Sequence, residues 1–368
     1  MKKSLLALAV LAAASANAAT VFDKDGTSLA IGGRVQAIAY SGNFDKAGED
    51  DASLVNSARL NIAGTTKVND FVSAYAFTEW DTTDGNGNNS FSARDQYVGA
   101  DFGAFGKIQG GKSLNSIYDV QAATDVFEET GALMQGNTNG DRRNGTIRYI
   151  YDNNGIYAAA AFQTAADKIK VAGEKFDAQN GYSVGLGYTF DNVVFGPLSV
   201  KAAYDYVNGQ NDNKDAFSYD ENGNRTYEKL NGSFKNTAVS VAWGNASEGL
   251  YLAALYNIYK LDYDTAAGID SQDQVKGYEL VAGYTFDNGL GVTVGYEMAD
   301  KKSKVGSVRG QSAIARRVPV IVNYQLAPNF KVWAEAEFDA NSSDNIQTVA
   351  DDRNAKDNKF AAGARYVF

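Results

Sequence analysis

The feature that most constrains this chain is a hydrophobic pattern of period two. Tyr182, Val184, Leu186, Tyr188 and Phe190 alternate with Ser183, Gly185, Gly187 and Thr189. Successive side chains of an extended strand point to opposite faces, so one face here is apolar and the other small and polar. Leu198, Val200, Ala202, Tyr204 and Tyr206 repeat the pattern against Ser199, Lys201, Ala203 and Asp205. Tyr278, Leu280, Ala282, Tyr284 and Phe286 do so again, and Leu290, Val292, Val294 and Tyr296 resume it after Asp287-Asn288-Gly289. An Asn-Gly between two alternating runs is a hairpin signal.

About sixteen such segments can be counted. Their centres lie near Arg34, Leu60, Tyr75, Tyr97, Ile108, Ile147, Ala159 and Leu186, then Ala202, Val239, Ala254, Leu280, Val294, Val320, Ala334 and Ala364. The connections alternate between short turns and long polar loops, the long ones near residues 41–56, 81–91, 114–141, 164–181, 208–233, 260–274, 300–311 and 339–359. Past the N-terminal leader, no purely apolar run exceeds seven residues, the length of Ile156 to Phe162, so no helix can span a bilayer. Soluble sandwiches also alternate, but three features favour a membrane barrel. The apolar rows end in Tyr, Phe or Trp, the polar rows carry Gly, Ser, Thr, Arg and Glu, and loop length follows one side. In hydrocarbon an unpaired backbone group costs several kcal/mol, so the sheet must close on itself. The expected fold is all-β: a 16-stranded antiparallel transmembrane up-and-down barrel over residues 19–368, wide enough to hold water.

The N-terminus gives the address. Lys2 and Lys3 precede an apolar stretch from Ser4 to Ala14, and Ala16-Asn17-Ala18 is a small-residue cleavage site, so residues 1–18 read as a signal peptide. Its removal lowers Lys plus Arg from 34 to 32 against 44 acids, a net charge of about −12. Such acidity argues against a nucleic-acid partner and suits a pore that favours cations. With no Cys there is no disulfide framework, and with no His the common triads, histidine zinc sites and histidine bases are absent. No catalytic residue, metal or cofactor is expected, and the chain does not read as an enzyme.

Two motifs are set aside. Gly106 to Ser113 matches the phosphate-loop spacing, but its glycines sit inside an amphipathic strand rather than before a helix. Asp220-Glu221-Asn222-Gly223 resembles the middle of a calcium loop, yet Ser218 and Lys229 occupy the two anchor positions.

Arginine is the informative residue type. Arg34, Arg59, Arg94 and Arg142 fall on the polar row, where parity turns them toward the lumen together with Arg148, and Glu79 could partner them. The third loop, 114–141, is long but carries Leu114, Ile117, Val120, Phe127, Leu133 and Met134, enough apolar surface to pack. It also carries Asp119, Asp125, Glu128 and Glu129 with no base of its own before Arg142. Folded inward, it would set acids against the arginine strip across the narrowest point of the pore.

At this point the chain resembles the trimeric general porins of Gram-negative bacteria along its whole length. The carriers are Val21 to Thr27 with Gly33-Arg34, Ser57-Ala58-Arg59-Leu60, Arg94 before Tyr97-Val98-Gly99, and the ending Ala364 to Phe368. The resemblance implies a homotrimer in the outer membrane, in contact with lipid and lipopolysaccharide, passing ions and small hydrophilic solutes. It implies that Tyr366 and Phe368 address the barrel-assembly machinery, and that Arg142 or its neighbour Arg143 lies just past an inward-folded third loop. The departure is Phe127-Glu128-Glu129-Thr130-Gly131, which leaves open whether Glu128 or Glu129 faces the pore. The alternatives are a substrate-specific channel and a barrel whose outer loops serve as adhesin or phage receptor.

Small outward residues on the early strands suggest the subunit contact, since they let two backbones approach closely. Ala58, Ala74 and Ala76 carry this expectation, with Asp95, which strict parity also turns outward, and Gly99.

Overall fold

The computed structural model describes residues 18–44, 46, 51–84, 90–138, 142–172, 174–210, 217–219, 225–227, 232–264, 269–341 and 358–368. Apart from Ala18, the expected signal peptide lies outside them, as does the calcium-loop-like segment 220–223. The first strands are β1 (Ala19–Lys24), β2 (Thr27–Tyr40), β3 (Ser53–Lys67), β4 (Ser73–Asp84), β5 (Ser90–Asp101) and β6 (Lys107–Leu114). After the third loop come β7 (Arg142–Asn153), β8 (Ile156–Gln163), β9 (Ala166–Val171), β10 (Glu174–Val193), β11 (Gly196–Gly209), β12 (Phe217–Tyr219) and β13 (Arg225–Tyr227). The rest are β14 (Gly232–Asn245), β15 (Glu248–Asp264), β16 (Asp270–Thr285), β17 (Leu290–Val305), β18 (Val308–Ala327), β19 (Phe330–Asp339) and β20 (Lys359–Val367).

Sixteen of these close into one antiparallel barrel: β2 to β8, β10, β11 and β14 to β20, with β20 paired back onto β2. Every expected strand centre falls inside one of them. Closure uses both chain ends. β1 pairs with the start of β2 (Ala19↔Ile31) and β20 with its remainder (Arg34↔Val367), so the two lie end to end along one strand. Gly33 and Phe368 exchange both backbone hydrogen bonds at 2.9 Å, which removes the last open edge.

The outer face is the apolar row. Leu186 is 68 % exposed and Val98 64 %, as lipid contact requires. Aromatic pairs bound this band. Tyr182–Tyr206 and Tyr256–Tyr278 stand toward the long-loop end, at ring separations of 5.5 and 4.9 Å. Tyr284–Phe286 and Phe195–Trp243 stand toward the short-turn end, at 4.7 and 4.2 Å. Turn chemistry follows the sequence there. Asn154 and Gly155, at φ 53° and 78°, give the β7–β8 turn two left-handed residues, as a tight hairpin demands.

Three expected long loops are corrected, among them residues 260–274, where β15 and β16 are paired out to Asp264↔Asp270. Residues 164–181 contain β9 and the first part of β10, paired Glu174↔Val171. Residues 300–311 are mostly hairpin, with β17 and β18 paired out to Val305↔Val308. The backbone ladder continues beyond the bilayer, where the outward row is polar and alternation no longer marks a strand.

Candidate pore constriction

The third loop turns inward and lies along the inner wall. Asn115 Oδ1 accepts the Ile117 and Tyr118 N–H groups at 3.0 and 3.2 Å and starts the short helix α1 (Tyr118–Gln121). A second helix, α2 (Leu133–Thr138), leads back toward β7. Ile117, Val120, Leu133 and Met134 are buried against Ala203, Ala238, Leu255, Ala299 and Ala315 of the inner wall. Each larger side chain so buried contributes roughly 1.5–3 kcal/mol, enough to hold the loop against water.

Wall carboxylates fix its path. Glu335 accepts the backbone N–H of Glu128 at 3.1 Å, of Glu129 at 3.1 Å and of Thr130 at 2.7 Å, with the Thr130 hydroxyl also donating to it. Glu279 accepts the Met134 N–H at 2.7 Å and the Thr124 hydroxyl. Tyr251 donates its hydroxyl to the Ala123 carbonyl at 2.7 Å, and Gln121 donates to Asn257 at 2.6 Å. Sequence reading did not single out Glu279, Glu335 or their neighbour Glu297. The available signal was parity, since each interrupts an alternating strand on its inward row.

The arginines converge on the opposite wall, but mostly in pairs with acids of that wall. Arg34 and Arg59 are direct cross-strand partners. Arg59 meets Asp81 at 2.6 Å, and Arg94 meets Glu79 and Asp81, both at 2.8 Å. Arg142 meets Asp95 at 2.9 Å and lies 6.0 Å from the Tyr118 ring. Arg143 is instead buried beneath the loop in a two-pronged pair with Asp205, at 3.0 and 2.5 Å. Thus Arg142 belongs to the strip and Arg143 to the loop's support.

Asp95 and Gly99 are corrected. The β4–β5 register shifts between Glu79↔Asp95 and Trp80↔Ala93, so Arg94 is an extra residue in a bulge. One extra residue reverses parity, which turns Asp95 inward to Arg142 and sets Gly99 against the Tyr75 ring. Ala58, Ala74 and Ala76 keep the outward face expected of them, and Tyr366 is 47 % exposed on that face.

The four loop acids separate. Asp119 is paired with Arg148, the arginine that parity placed in the lumen beside the strip, and with the Tyr157 hydroxyl, against the wall. Asp125 accepts the Tyr118 hydroxyl at 3.3 Å. Glu128 bridges to Lys331 and, at 2.6 Å, to Arg365, two cations that sequence reading missed. Glu129 accepts the Tyr40 hydroxyl at 2.5 Å. Burial opposes ionisation of Glu128, but Lys331 and Arg365 outweigh it and hold the carboxyl below the ordinary range. Burial pushes Glu129 up, with Tyr40 and Lys46 only partly compensating.

A closed sixteen-stranded barrel, apolar outside and crossed within by a packed, charge-lined loop, is a transmembrane channel. The family model for the Gram-negative porin matches residues 4–345, and the chain belongs to that family: it is an outer-membrane diffusion channel. The outer membrane porin PhoE of Enterobacter cloacae is 26 % identical over 382 residues, covering 100 % of both chains. In fold the chain is similar to Salmonella typhi OmpF, with TM-score 0.71, 20 % identity and coverage of 94 % and 99 %. It is also similar to OmpT of Vibrio cholerae in its trimer form, with TM-score 0.69, 16 % identity and coverage of 94 % and 100 %.

Proposed function

We propose that the chain is a general, passive and moderately cation-preferring pore for ions and small hydrophilic solutes, with the third loop, 114–141, as its constriction. The carrying observation is charge pairing. Arg59, Arg94 and Arg142 each face a carboxylate of their own wall, so the basic strip is largely neutralised before it can attract anions. The chain as a whole carries a formal charge of −10. A nearly neutral wall inside an acidic barrel leaves the lumen potential negative, which concentrates cations. Inward aromatics favour the general reading over a sugar-specific one. Tyr75, Phe77 and Trp333 are 6 %, 5 % and 4 % exposed, too closely packed to offer a stacking track to a solute.

On this reading residues 1–18 direct export and are removed, Tyr366 and Phe368 address the assembly machinery, and three copies associate through the small outward residues Ala58, Ala74 and Ala76. The lipid and lipopolysaccharide of the outer membrane surround the remaining strands. The test is reversal potential across a potassium chloride gradient in a planar bilayer. A cation-sided potential that shrinks as salt rises supports the reading, whereas an anion-sided one rejects it.

A further inference from the structure

One stretch of the inner wall is lined as no water-filled lumen should be. Val207 on β11, Phe234 on β14 and Leu261 on β15 are successive cross-strand partners at the long-loop end. They share the inward parity of Ala203, Ala238 and Leu255, where a wetted pore carries polar side chains. Yet Val207 and Phe234 are 0 % exposed and Leu261 2 %. Tyr259 and Val275, partners on β15 and β16, are buried beside them. Side chains stand out from a sheet and cannot cover their own row, so something lies over this one from the lumen side.

Two covers meet there. Loop 3 supplies Leu133 and Met134, and the β9–β10 hairpin supplies Ile169, Val171 and Ala178, all in one buried cluster with the wall row. The hairpin is therefore bent over the mouth of the barrel rather than standing clear of it. Both of its ends are tied down. Thr164, just before β9, donates its backbone N–H and its hydroxyl to the Gly145 carbonyl, at 2.9 and 2.8 Å. Gln210, just past β11, donates its backbone N–H to the Asp177 carbonyl at 2.9 Å and its side-chain amide to the Ala178 carbonyl at 3.2 Å. Pulling the hairpin away would expose Ile169 and Val171 together with the wall row beneath them, so burial of apolar surface holds it in place.

We propose that the β9–β10 hairpin is a second fixed constricting element. It seals the mouth over β11 and β14–β16 and holds loop 3 down from the long-loop side. Solutes then descend only along the arginine wall of β2, β3, β5 and β7. Ile169 and Val171 are its positioning residues: being buried, they meet no solute, and they act by keeping hairpin, loop 3 and wall in contact. The inference rests on the packing of loop 3 and the hairpin, and not on the sign of the pore's ion preference.

The chain has no native cysteine, so a single introduced thiol reports on the cover. Val207→Cys, a change of similar size, is followed in the purified protein by its rate of reaction with a charged methanethiosulfonate. Behind the wild-type hairpin the thiol should react slowly. In the added background I169D/V171D, labelling should speed up on the order of a hundredfold, the shift expected when two apolar side chains lose their burial. Single-channel conductance of that variant should rise as well. I169V/V171I keeps the apolar cover and should leave both labelling and conductance as they are in the wild type. Heat-modifiable gel mobility reports whether each barrel has folded, and I169S/V171S replaces the Asp variant if that one has not. Fast labelling behind the wild-type hairpin, slow labelling in the folded hairpin variant, or unchanged conductance once the thiol is open would each overturn the proposal. An anion-sided reversal potential in the wild type would overturn only the selectivity reading, because the thiol reports cover and not charge.

Discussion

Arg34 lies directly opposite Arg59 on the neighbouring strand, two guanidinium side chains on one inner face, yet only Arg59 has a carboxylate, Asp81, at 2.6 Å. Among the described residues no acid lies within salt-bridge distance of Arg34. It is the member of the strip with no ion pair of its own, and Glu128 and Asp81 act on it only from farther off. Arg34→Ala should therefore move the reversal potential further toward cations than the paired change Arg59→Ala with Asp81→Ala, which removes no net charge. Equal shifts in the two variants would show that wall pairing does not set the field.

Glu128 and Glu129 are adjacent but differ in environment. With its carboxyl raised by burial, Glu129 takes up a proton at higher pH than Glu128, which two cations keep ionised. As pH falls, cation preference should decline first through Glu129 and only at lower pH through Glu128. Glu129→Gln should remove the upper step and leave the lower one, as reversal potentials measured from neutral to acid pH would show. An unchanged upper step in that variant would contradict the assignment.

Glu335 receives three backbone N–H groups of the loop tip. Hydrogen bonds to a charged acceptor contribute about 1.5–3 kcal/mol each, so Glu335→Ala weakens the anchor by several kcal/mol. Open-channel noise should rise and mean conductance should increase, while the barrel keeps its resistance to heat. A quiet channel of wild-type size would place the anchor elsewhere, on Glu279 and the apolar contacts of Leu133 and Met134.

Ala74 and Ala76 share the outer face of β4 with no bulky neighbour between them. Replacing both with Trp should give folded monomers if β2–β5 form the subunit contact, because two backbones could no longer approach. The same replacement at Val184 and Val294 should leave trimers intact. Light scattering in detergent reads both, and trimers in the first variant with monomers in the second would reverse the assignment.

Most of the barrel was legible because lipid on one side and water on the other impose the same period on every strand. Leu186 faces outward for the reason its sequence neighbours imply. The reading failed where that constraint lapsed. The extra residue at Arg94 has no sequence signature, so strict parity sent Asp95 to the wrong face. The β17–β18 hairpin continues above the membrane, where Lys302 and Lys304 carry no apolar rhythm. The constriction was half legible. Loop length and its apolar residues indicated an inward fold, and parity put Arg148 in the lumen, but the partners of Glu128, Lys331 and Arg365, come from strands far away in sequence. Which acid meets which base depends on how far round the wall the loop reaches, and only the folded chain supplies that.

The central claim is a permanently open, water-filled and weakly cation-preferring pore narrowed by the third loop. Single-channel recording of the purified protein in a planar bilayer under a potassium chloride gradient tests it most directly. The account predicts ohmic steps whose conductance scales with bulk conductivity, and a cation-sided reversal potential that falls with rising salt. Absence of steps, conductance that saturates at low salt, or an anion-sided potential would contradict it.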